Sequence, residues 1–157
     1  MKAIIFDASS LISLAINGLF EEIRGLKSIF DGKFIITEEV KKEAIDSPLK
    51  VRRFQLEALK IKQLLDEKVF EMPESLGIKS SEISKRTQEI LNLSNSSFIG
   101  NGKAVHLIDL GEASCLAASE IADKKGIKNV VSIDERTTRM LIEKPENLKQ
   151  LLEKRIH

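Results

Sequence analysis

The sequence predicts one α/β domain in which a mostly parallel sheet is covered by helices on both faces. Short apolar segments alternate along the chain with longer segments of helical periodicity. The apolar segments, such as 2–6 and 129–133, consist mainly of hydrophobic residues, as expected of strands buried on both sides. A length of 157 residues with no repeat, low-complexity tract or linker predicts a single domain over residues 1–157.

The first elements are defined by apolar runs and turn residues. A strand over 2–6 is followed by a short apolar helix that Ser9 opens and that Asn17 and Gly18 stop. An amphipathic helix is predicted over 19–30, and a second buried strand over 34–36. These residues therefore predict the order strand, helix, helix, strand.

The next segment begins with Thr37, a typical N-cap residue, and acids follow it in the first turn of a helix that carries Glu43. Ser47 and Pro48 restart the chain as N-cap and first helical residue. Apolar residues at helical spacing over 51–65 predict the longest helix of the protein. A third strand is expected over 69–72.

The remaining residues predict a polar helix over 81–93 and a mobile loop over 95–102, a segment rich in Ser, Asn and Gly. A further helix over 111–125 should end at a left-handed Gly126. A buried strand follows over 129–133, and two short helices complete the chain.

Composition excludes several classes of protein. The 25 Lys and Arg residues nearly balance 24 Asp and Glu, which argues against a strongly basic nucleic-acid coat protein and against an acidic disordered tail. The absence of Trp and Tyr argues against a base-stacking platform. One cysteine, Cys115, with only His106 and His157, excludes a cysteine-rich zinc site and indicates a cytoplasmic protein. No segment is long and apolar enough to predict a membrane span.

Four carboxylates fall at the ends of predicted elements. Asp7 and Asp134 follow buried strands, Glu43 lies one turn inside a helix, and Glu112 lies in the first turn of another. Parallel α/β sheets place their ligand crevice at the carboxyl ends of the strands, so we expect the four acids to converge. Because like charges about 4 Å apart repel by roughly 1–4 kcal/mol, such a cluster needs protons, bases or cations. Oxygen-only ligands favour Mg²⁺ or Mn²⁺, which suggests phosphoryl chemistry.

Each of these acids also has a purely structural interpretation. Asp109 and Glu112 have the spacing of a capping box, in which both side chains satisfy backbone donors. Glu43 fits equally well on the solvent-facing side of its helix. Arg136 and Arg139 are candidate basic neighbours for the acids.

The other motifs in the sequence give weaker indications of function. A haloacid-dehalogenase phosphatase needs a second aspartate where this chain has Ser9, and the segment GNGK at 100–103 lacks the spacing of a P-loop. His106 has no evident triad partner, and Cys115 is interpreted as core packing. The basic residues of the predicted 51–65 helix either contact phosphate groups or form a solvated face. They are Arg52, Arg53, Lys60 and Lys62.

Four segments in order, IIFDASSLI, ITEEVKKEAI, DLGEASCLAAS and VVSIDERTTR, resemble the PIN domain, a small α/β family of metal-dependent nucleases. The similarity covers residues 1–140 and leaves out the C-terminal segment PENLKQLLEKRIH. It implies a three-layer fold with a sheet of four or five strands. Asp7, Glu43, Glu112 and Asp134 match the family's metal-binding acids, and Ser9 matches the hydroxyl residue that orients the first acid.

The same resemblance assigns auxiliary roles to Asp109, Glu135, Arg136 and Arg139. It implies one or two Mg²⁺ or Mn²⁺ ions and hydrolysis of RNA. Many small members are toxins of toxin-antitoxin pairs, so a protein partner of the antitoxin kind and a homodimer are also implied. The leading hypothesis is therefore a metal-dependent endoribonuclease. The alternative is a PIN-like module that binds RNA or a protein partner without turnover.

Overall fold

The protein is described by a computed structural model that covers residues 1–97, 99–100, 103–134 and 136–156. Four strands form a parallel sheet in the order β3-β2-β1-β6, and two short strands, β4 and β5, pair antiparallel. The strands are β1 (Lys2–Phe6), β2 (Lys33–Ile35), β3 (Phe70–Glu71), β4 (Ile99–Gly100), β5 (Lys103–Ala104) and β6 (Lys128–Ser132).

Helices connect the parallel strands, because joining parallel neighbours requires a long crossover connection. The α-helices are α1 (Ala8–Ile16), α2 (Phe20–Ile29), α3 (Glu38–Lys41), α4 (Gln55–Asp66), α5 (Ser80–Ser96), α6 (Leu110–Lys124), α7 (Arg136–Glu143) and α8 (Pro145–Ile156). A π-helical turn over Lys42–Asp46 continues α3, and short 3₁₀ turns cover Pro48–Lys50 and Pro73–Leu76.

The central strand β1 is buried on both faces of the sheet. Side chains alternate between faces along a strand, and Ala3 and Ile5 on one side are as inaccessible as Phe6 on the other. Helices therefore cover both faces, and the predicted α/β class with a parallel sheet is confirmed. β1 lies between β2 and β6, with Ile5 opposite Ile35 and Val131.

Three phenylalanines on adjacent strands form the aromatic part of the core. The rings of Phe6 and Phe34 have centroids 5.3 Å apart, and those of Phe6 and Phe70 are 5.2 Å apart, both edge to face. Edge-to-face pairs of this kind add roughly 0.5–1.5 kcal/mol beyond the burial of apolar area. The packing joins β1, β2 and β3 in one apolar layer.

The prediction that residues 51–65 form the longest helix is wrong. Val51 has an extended backbone after the 3₁₀ turn, and α4 begins only at Gln55. Val51 and Phe54 are exposed, so they do not belong to the buried face that their spacing predicted. The 12 residues of α4 are fewer than the 17 of α5.

The loop predicted over 95–102 begins later than expected, because α5 continues to Ser96. Asn95 accepts hydrogen bonds from the backbone N–H groups of Leu107 and Ile108 at 2.7 and 3.1 Å. Its amide also donates to the carbonyl of Ile108 at 3.1 Å. Residues 98, 101 and 102 of the predicted loop, including part of GNGK, lie outside the described residues.

The remaining boundaries differ by only a few residues from prediction. β2 and β6 begin one residue early, and β3 keeps two of its four predicted residues. Gly126 has the expected left-handed backbone, with φ of 72°. The two C-terminal helices are present.

Within the described residues, none of the helices combines the length and the hydropathy needed to cross a membrane.

Gly32, in the turn before β2, leaves no room for a side chain. A Cβ there would lie 2.5 Å from Cε1 of Phe30 and 2.7 Å from the carbonyl oxygen of Lys2. We expect Gly32→Ala to lower the free energy of unfolding by about 1–3 kcal/mol, measured by urea denaturation, because the backbone must shift. Gly25→Ala in α2 is the control, since its Cβ would meet nothing within 4 Å and should stabilise the helix by about 0.5–1 kcal/mol. Equal stability of the two variants would contradict this packing.

Candidate functional site

Four acidic residues from three parts of the chain form an acidic cluster at the carboxyl edge of the sheet: Asp7, Glu43, Asp109 and Glu112. Asp7 directly follows β1, and Glu43 lies in the π-helical turn after α3. Asp109 is the N-cap of α6, and Glu112 lies in its first turn. The negative charges of the other three all raise the pKa of Glu43, so the four lie within electrostatic reach of one another.

Asp7 is held firmly in place. The residue is 3% exposed, and its Oδ2 accepts from the backbone N–H of Ser9 at 3.2 Å and from the Ser9 hydroxyl at 2.5 Å. Its own backbone N–H donates to the carbonyl of Ser132 on β6 at 3.0 Å. The two hydrogen bonds from Ser9 fix the orientation of Asp7, which also serves as the N-cap of α1.

Gly111, the second residue of α6, brings two carboxylates together. A Cβ on Gly111 would lie 2.7 Å from Oε2 of Glu43 and 3.6 Å from Oδ1 of Asp7. Only glycine allows the carboxyl group of Glu43 to approach so closely. The positive end of the α6 dipole faces both carboxylates there, which offsets part of their mutual repulsion.

Glu43 is exposed as a residue, but its carboxyl group is partly buried against Gly111. This partial burial is the main reason that the pKa of Glu43 is raised, and the charges of Asp7, Asp109 and Glu112 raise it further. The π-helical turn that presents Glu43 is a rare conformation that occurs often at functional sites. The interpretation of Glu43 as a purely solvent-facing helix residue therefore explains only part of its environment.

A buried chain of hydroxyl groups connects the segment carrying Glu43 to α6. The Thr37 and Ser114 hydroxyl oxygens are 2.6 Å apart, and Ser114 donates to the carbonyl of Gly111 at 2.6 Å. Because the only hydroxyl proton of Ser114 is donated to the carbonyl of Gly111, the Thr37 hydroxyl is the donor to Ser114 Oγ. Thr37 Oγ1 in turn accepts from the backbone of Val40 as the α3 N-cap. This chain sets the position of α3 against the N-terminus of α6.

Glu112 already has a protein donor on each carboxylate oxygen. Its Oε2 accepts from the backbone N–H of Asp109 at 2.8 Å within a capping box, and its Oε1 accepts from Thr138 of α7 at 2.7 Å. Burial raises the pKa of Glu112, and these two hydrogen bonds act against that rise. The capping box predicted as the structural alternative is therefore present, and Thr138 is a partner that the sequence did not indicate.

The other predicted residues lie outside these contacts. Asp134 is exposed beyond β6, where its Oδ2 accepts from the Ser13 hydroxyl of α1 at 3.3 Å. No contact of the described residues joins Asp134 to the acidic cluster. Arg136 and Arg139 are exposed on α7, and Glu135 lies outside the described residues.

In the described part of the chain, no Lys or Arg side chain pairs with the acids of the cluster. The ion pairs there involve neither Asp7, Glu43 nor Glu112. Asp109 pairs with His106, whose Nε2 is 2.7 Å from Oδ1, so His106 has an acidic partner after all. Within the described ranges, no group of three or more His, Cys, Asp or Glu side chains is arranged to hold a metal ion.

Two further predictions concern the surroundings of the cluster. Cys115 is fully buried beneath it, and burial, followed by the Asp7 charge, raises its thiol pKa well above the usual value. This confirms the prediction that Cys115 packs in the core.

Two basic residues of α4 contact neighbouring side chains, since Lys62 pairs with Asp66 at 3.0 Å and Lys60 lies over the ring of Phe20.

Comparison with protein-family models, with curated proteins and with solved structures finds no match to this chain. The function is therefore inferred from the residues and the geometry described above.

The raised pKa of Glu43 predicts a stability that depends on pH. Between the ordinary pKa of 4.5 and the raised value, the folded state binds more protons than the unfolded state, so stability falls as pH rises. In EDTA, we expect Glu43→Gln to raise Tm at pH 7 by about 1–2 °C, a small effect because solvent screens the charge. The difference should vanish below pH 4.5. Glu22→Gln, an exposed position on α2, is the control, and an identical response of both variants would contradict the coupling.

The Thr138 hydroxyl should contribute to stability through Glu112. Thr138→Val keeps the side-chain shape but leaves Glu112 Oε1 without its donor, which should cost about 1–3 kcal/mol in urea denaturation. Thr87→Val is the matched control, because Thr87 is also buried but donates to a helical carbonyl, that of Ile83. We expect that control to lose less than about 1 kcal/mol. An equal loss in both variants would show that Thr138 does not act through Glu112.

Proposed function

We propose that this protein is a metal-dependent endoribonuclease of the PIN type, with the acidic cluster at its centre. The observation that carries the proposal is the meeting of Asp7 and Glu43 at Gly111, where the carboxylates of two distant segments approach the same helix N-terminus. Folding brings these like charges together without a Lys or Arg partner among the described residues. Such an arrangement is costly for stability and is typical of a site that binds cations.

The donor set fits a hard divalent cation. All donors of the cluster are carboxylate oxygens, which Mg²⁺ and Mn²⁺ prefer, and soft ligands are limited to the buried Cys115. Asp7 and Glu43 would hold one ion directly, since Oδ1 of Asp7 and the carboxyl group of Glu43 face Gly111. Glu112, whose oxygens have protein donors, would act through water, whereas Asp134 has no contact with the cluster among the described residues and would not be a direct ligand.

An ion bound there would supply Lewis-acid chemistry to a phosphodiester and its attacking water. The protein's own residues prepare the site. Ser9 holds Oδ2 of Asp7, which leaves Oδ1 directed toward Gly111. Thr138 and the backbone of Asp109 hold Glu112 in one orientation. The raised pKa of Glu43, caused first by burial and then by the neighbouring acids, reflects an unfavourable environment for its negative charge that a bound cation would relieve.

The choice of RNA and of the PIN family is supported by the four ordered segments, which contain Asp7, Glu43, Glu112 and Asp134. The proposal includes a cytoplasmic location and an antitoxin-like protein partner, as for the toxins that the chain resembles. The near-neutral charge and the absence of Trp and Tyr favour a second candidate, a module that binds RNA or protein without turnover. The two candidates differ in whether divalent ions support cleavage.

We expect the purified protein to cleave single-stranded RNA in Mn²⁺ or Mg²⁺ and to lose this activity in EDTA. Asp7→Asn should reduce the cleavage rate by at least about 100-fold, because the amide removes the negative charge. Asparagine is as good an N-cap as aspartate, so α1 should be retained. Asp66→Asn, at an exposed position of α4, is the matched control and should cleave like the wild type.

Three outcomes decide between the candidates. Cleavage that persists in Asp7→Asn or in EDTA would exclude the proposed site. Binding of fluorescent RNA by the wild type, with no cleavage in any divalent ion, would favour the binding module. Neither binding nor cleavage would exclude both candidates for the RNA tested.

A further inference from the structure

A pocket lies beside the acidic cluster, between α5 and the segment that leads into α6. Its volume is about 760 Å³, which is within the usual range of sites for small ligands. One wall is formed by side chains of α5, and the facing wall by residues just before and at the start of α6. The residues that matter here are Gln88, Leu91, Asn92, His106, Asp109 and Leu110.

The two walls of the pocket are held together by hydrogen bonds. Oδ1 of Asn95 on α5 accepts from the backbone N–H groups of Leu107 and Ile108, and its amide donates to the carbonyl of Ile108. Earlier in α5, Arg86 donates to Glu120 of α6 at 2.7 Å. Because these contacts fix α5 against α6, the pocket is formed before any ligand binds, and binding does not have to order its walls.

Two side-chain amides of α5 face the pocket. Gln88 and Asn92 are one helical turn apart, so they lie on the same side of the helix, and both are exposed. Among the described residues, neither of their side chains takes part in a hydrogen bond, whereas the amide of Asn95 is engaged. Each amide offers an acceptor oxygen and two donor hydrogens. The α5 wall therefore suits a ligand that carries donors and acceptors side by side.

The facing wall supplies a flat ring and a negative charge. Nε2 of His106 lies 2.7 Å from Oδ1 of Asp109, which holds the imidazole at the pocket. Unpaired bases of RNA stack on histidine rings as they do on other aromatic side chains. Asp109 also belongs to the acidic cluster, so a base in the pocket would lie directly beside the site proposed for phosphodiester cleavage.

We propose that this pocket binds one unpaired adenine of the RNA, next to the phosphate that is cleaved. The inference rests on the proposed function, because it names the base that the RNA substrate presents beside the acidic cluster. Side-chain amides of Asn and Gln pair with adenine through two hydrogen bonds, donating to a ring nitrogen and accepting from the N6 amino group. Gln88 and Asn92 supply these amides, and His106 supplies the stacking surface.

The charge and size of the pocket favour adenine over the other three bases. Uracil and the N7–O6 edge of guanine present carbonyl oxygens, which the negative charge of Asp109 disfavours. Cytosine has an amino group, but its single ring fills less of the pocket. A single base is bound in this way, which is consistent with a chain that lacks Trp and Tyr and has no extended stacking surface for a run of bases.

The first test measures binding where the proposed cleavage cannot occur. The ¹⁵N-labelled protein in EDTA is titrated with the RNA trinucleotides UAU, UCU, UGU and UUU and followed by NMR. We expect UAU to shift the side-chain NH₂ signals of Gln88 and Asn92 and to bind at least about fivefold more tightly than UUU. Gln88→Ala and Asn92→Ala should each reduce this preference by at least about threefold. Gln55→Ala, at an exposed position of α4, is the matched control and should leave it unchanged.

Equal or absent binding of the four trinucleotides would overturn the inference, as would a preference for UAU that both pocket variants retain. Circular dichroism checks that the variants are folded, which is expected because the replaced side chains are exposed.

The second test maps cleavage sites in an RNA of mixed sequence in Mn²⁺. We expect cuts by the wild type to fall next to adenines, and the Gln88→Ala and Asn92→Ala variants to lose this preference. Cleavage without a base preference in the wild type would overturn the pocket and leave the proposed function standing. Binding of UAU that depends on Gln88 and Asn92, with no cleavage in any divalent ion, would support the pocket and exclude the nuclease.

Discussion

The contact between the N-terminus of α6 and the carboxylates of Asp7 and Glu43 is the constraint on which the site depends. Gly111 makes the contact possible, because any larger residue would occupy the position of the Glu43 carboxyl group. The hydroxyl chain from Thr37 through Ser114 to Gly111 sets the distance between α3 and α6. The helix dipole then partly compensates for bringing two negative charges together.

The sheet supplies the rigid support for this contact. β1 is its central strand, and its burial on both faces sets the direction in which Asp7 leaves the sheet. The π-helical turn supplies Glu43 from one side, and the capping box with Thr138 holds Glu112 from the other. Burying and concentrating acids in this way works against stability, because burial, followed by the charges of neighbouring acids, raises the pKa of Glu43 and of Glu112. A fold that tolerates such a cost commonly does so at a functional site.

Much of the architecture was predictable because strand and helix signals are local. Apolar runs identified the four parallel strands within a few residues, and acids at their ends indicated the edge that carries Asp7, Glu43 and Glu112. Local signals failed where tertiary contacts decide the outcome. Asn95 looked like a loop residue, yet it lies in the last turn of α5, where its side chain binds the backbone of residues 107–108. Val51 had helical spacing, but an extended backbone excludes it from α4.

The sequence by itself determined the alternation of strands and helices, the burial of β1 and the placing of acids at the ends of elements. Those properties follow from periodicity and from turn chemistry over a few residues. Only the tertiary structure decided that Glu43 approaches Gly111. It also decided two hydrogen bonds between distant residues. Thr37 bonds to Ser114, which lies 77 residues later in the chain, and Thr138 bonds to Glu112, which lies 26 residues earlier. Contacts between distant residues depend on how whole elements pack, and no local pattern in the chain encodes them.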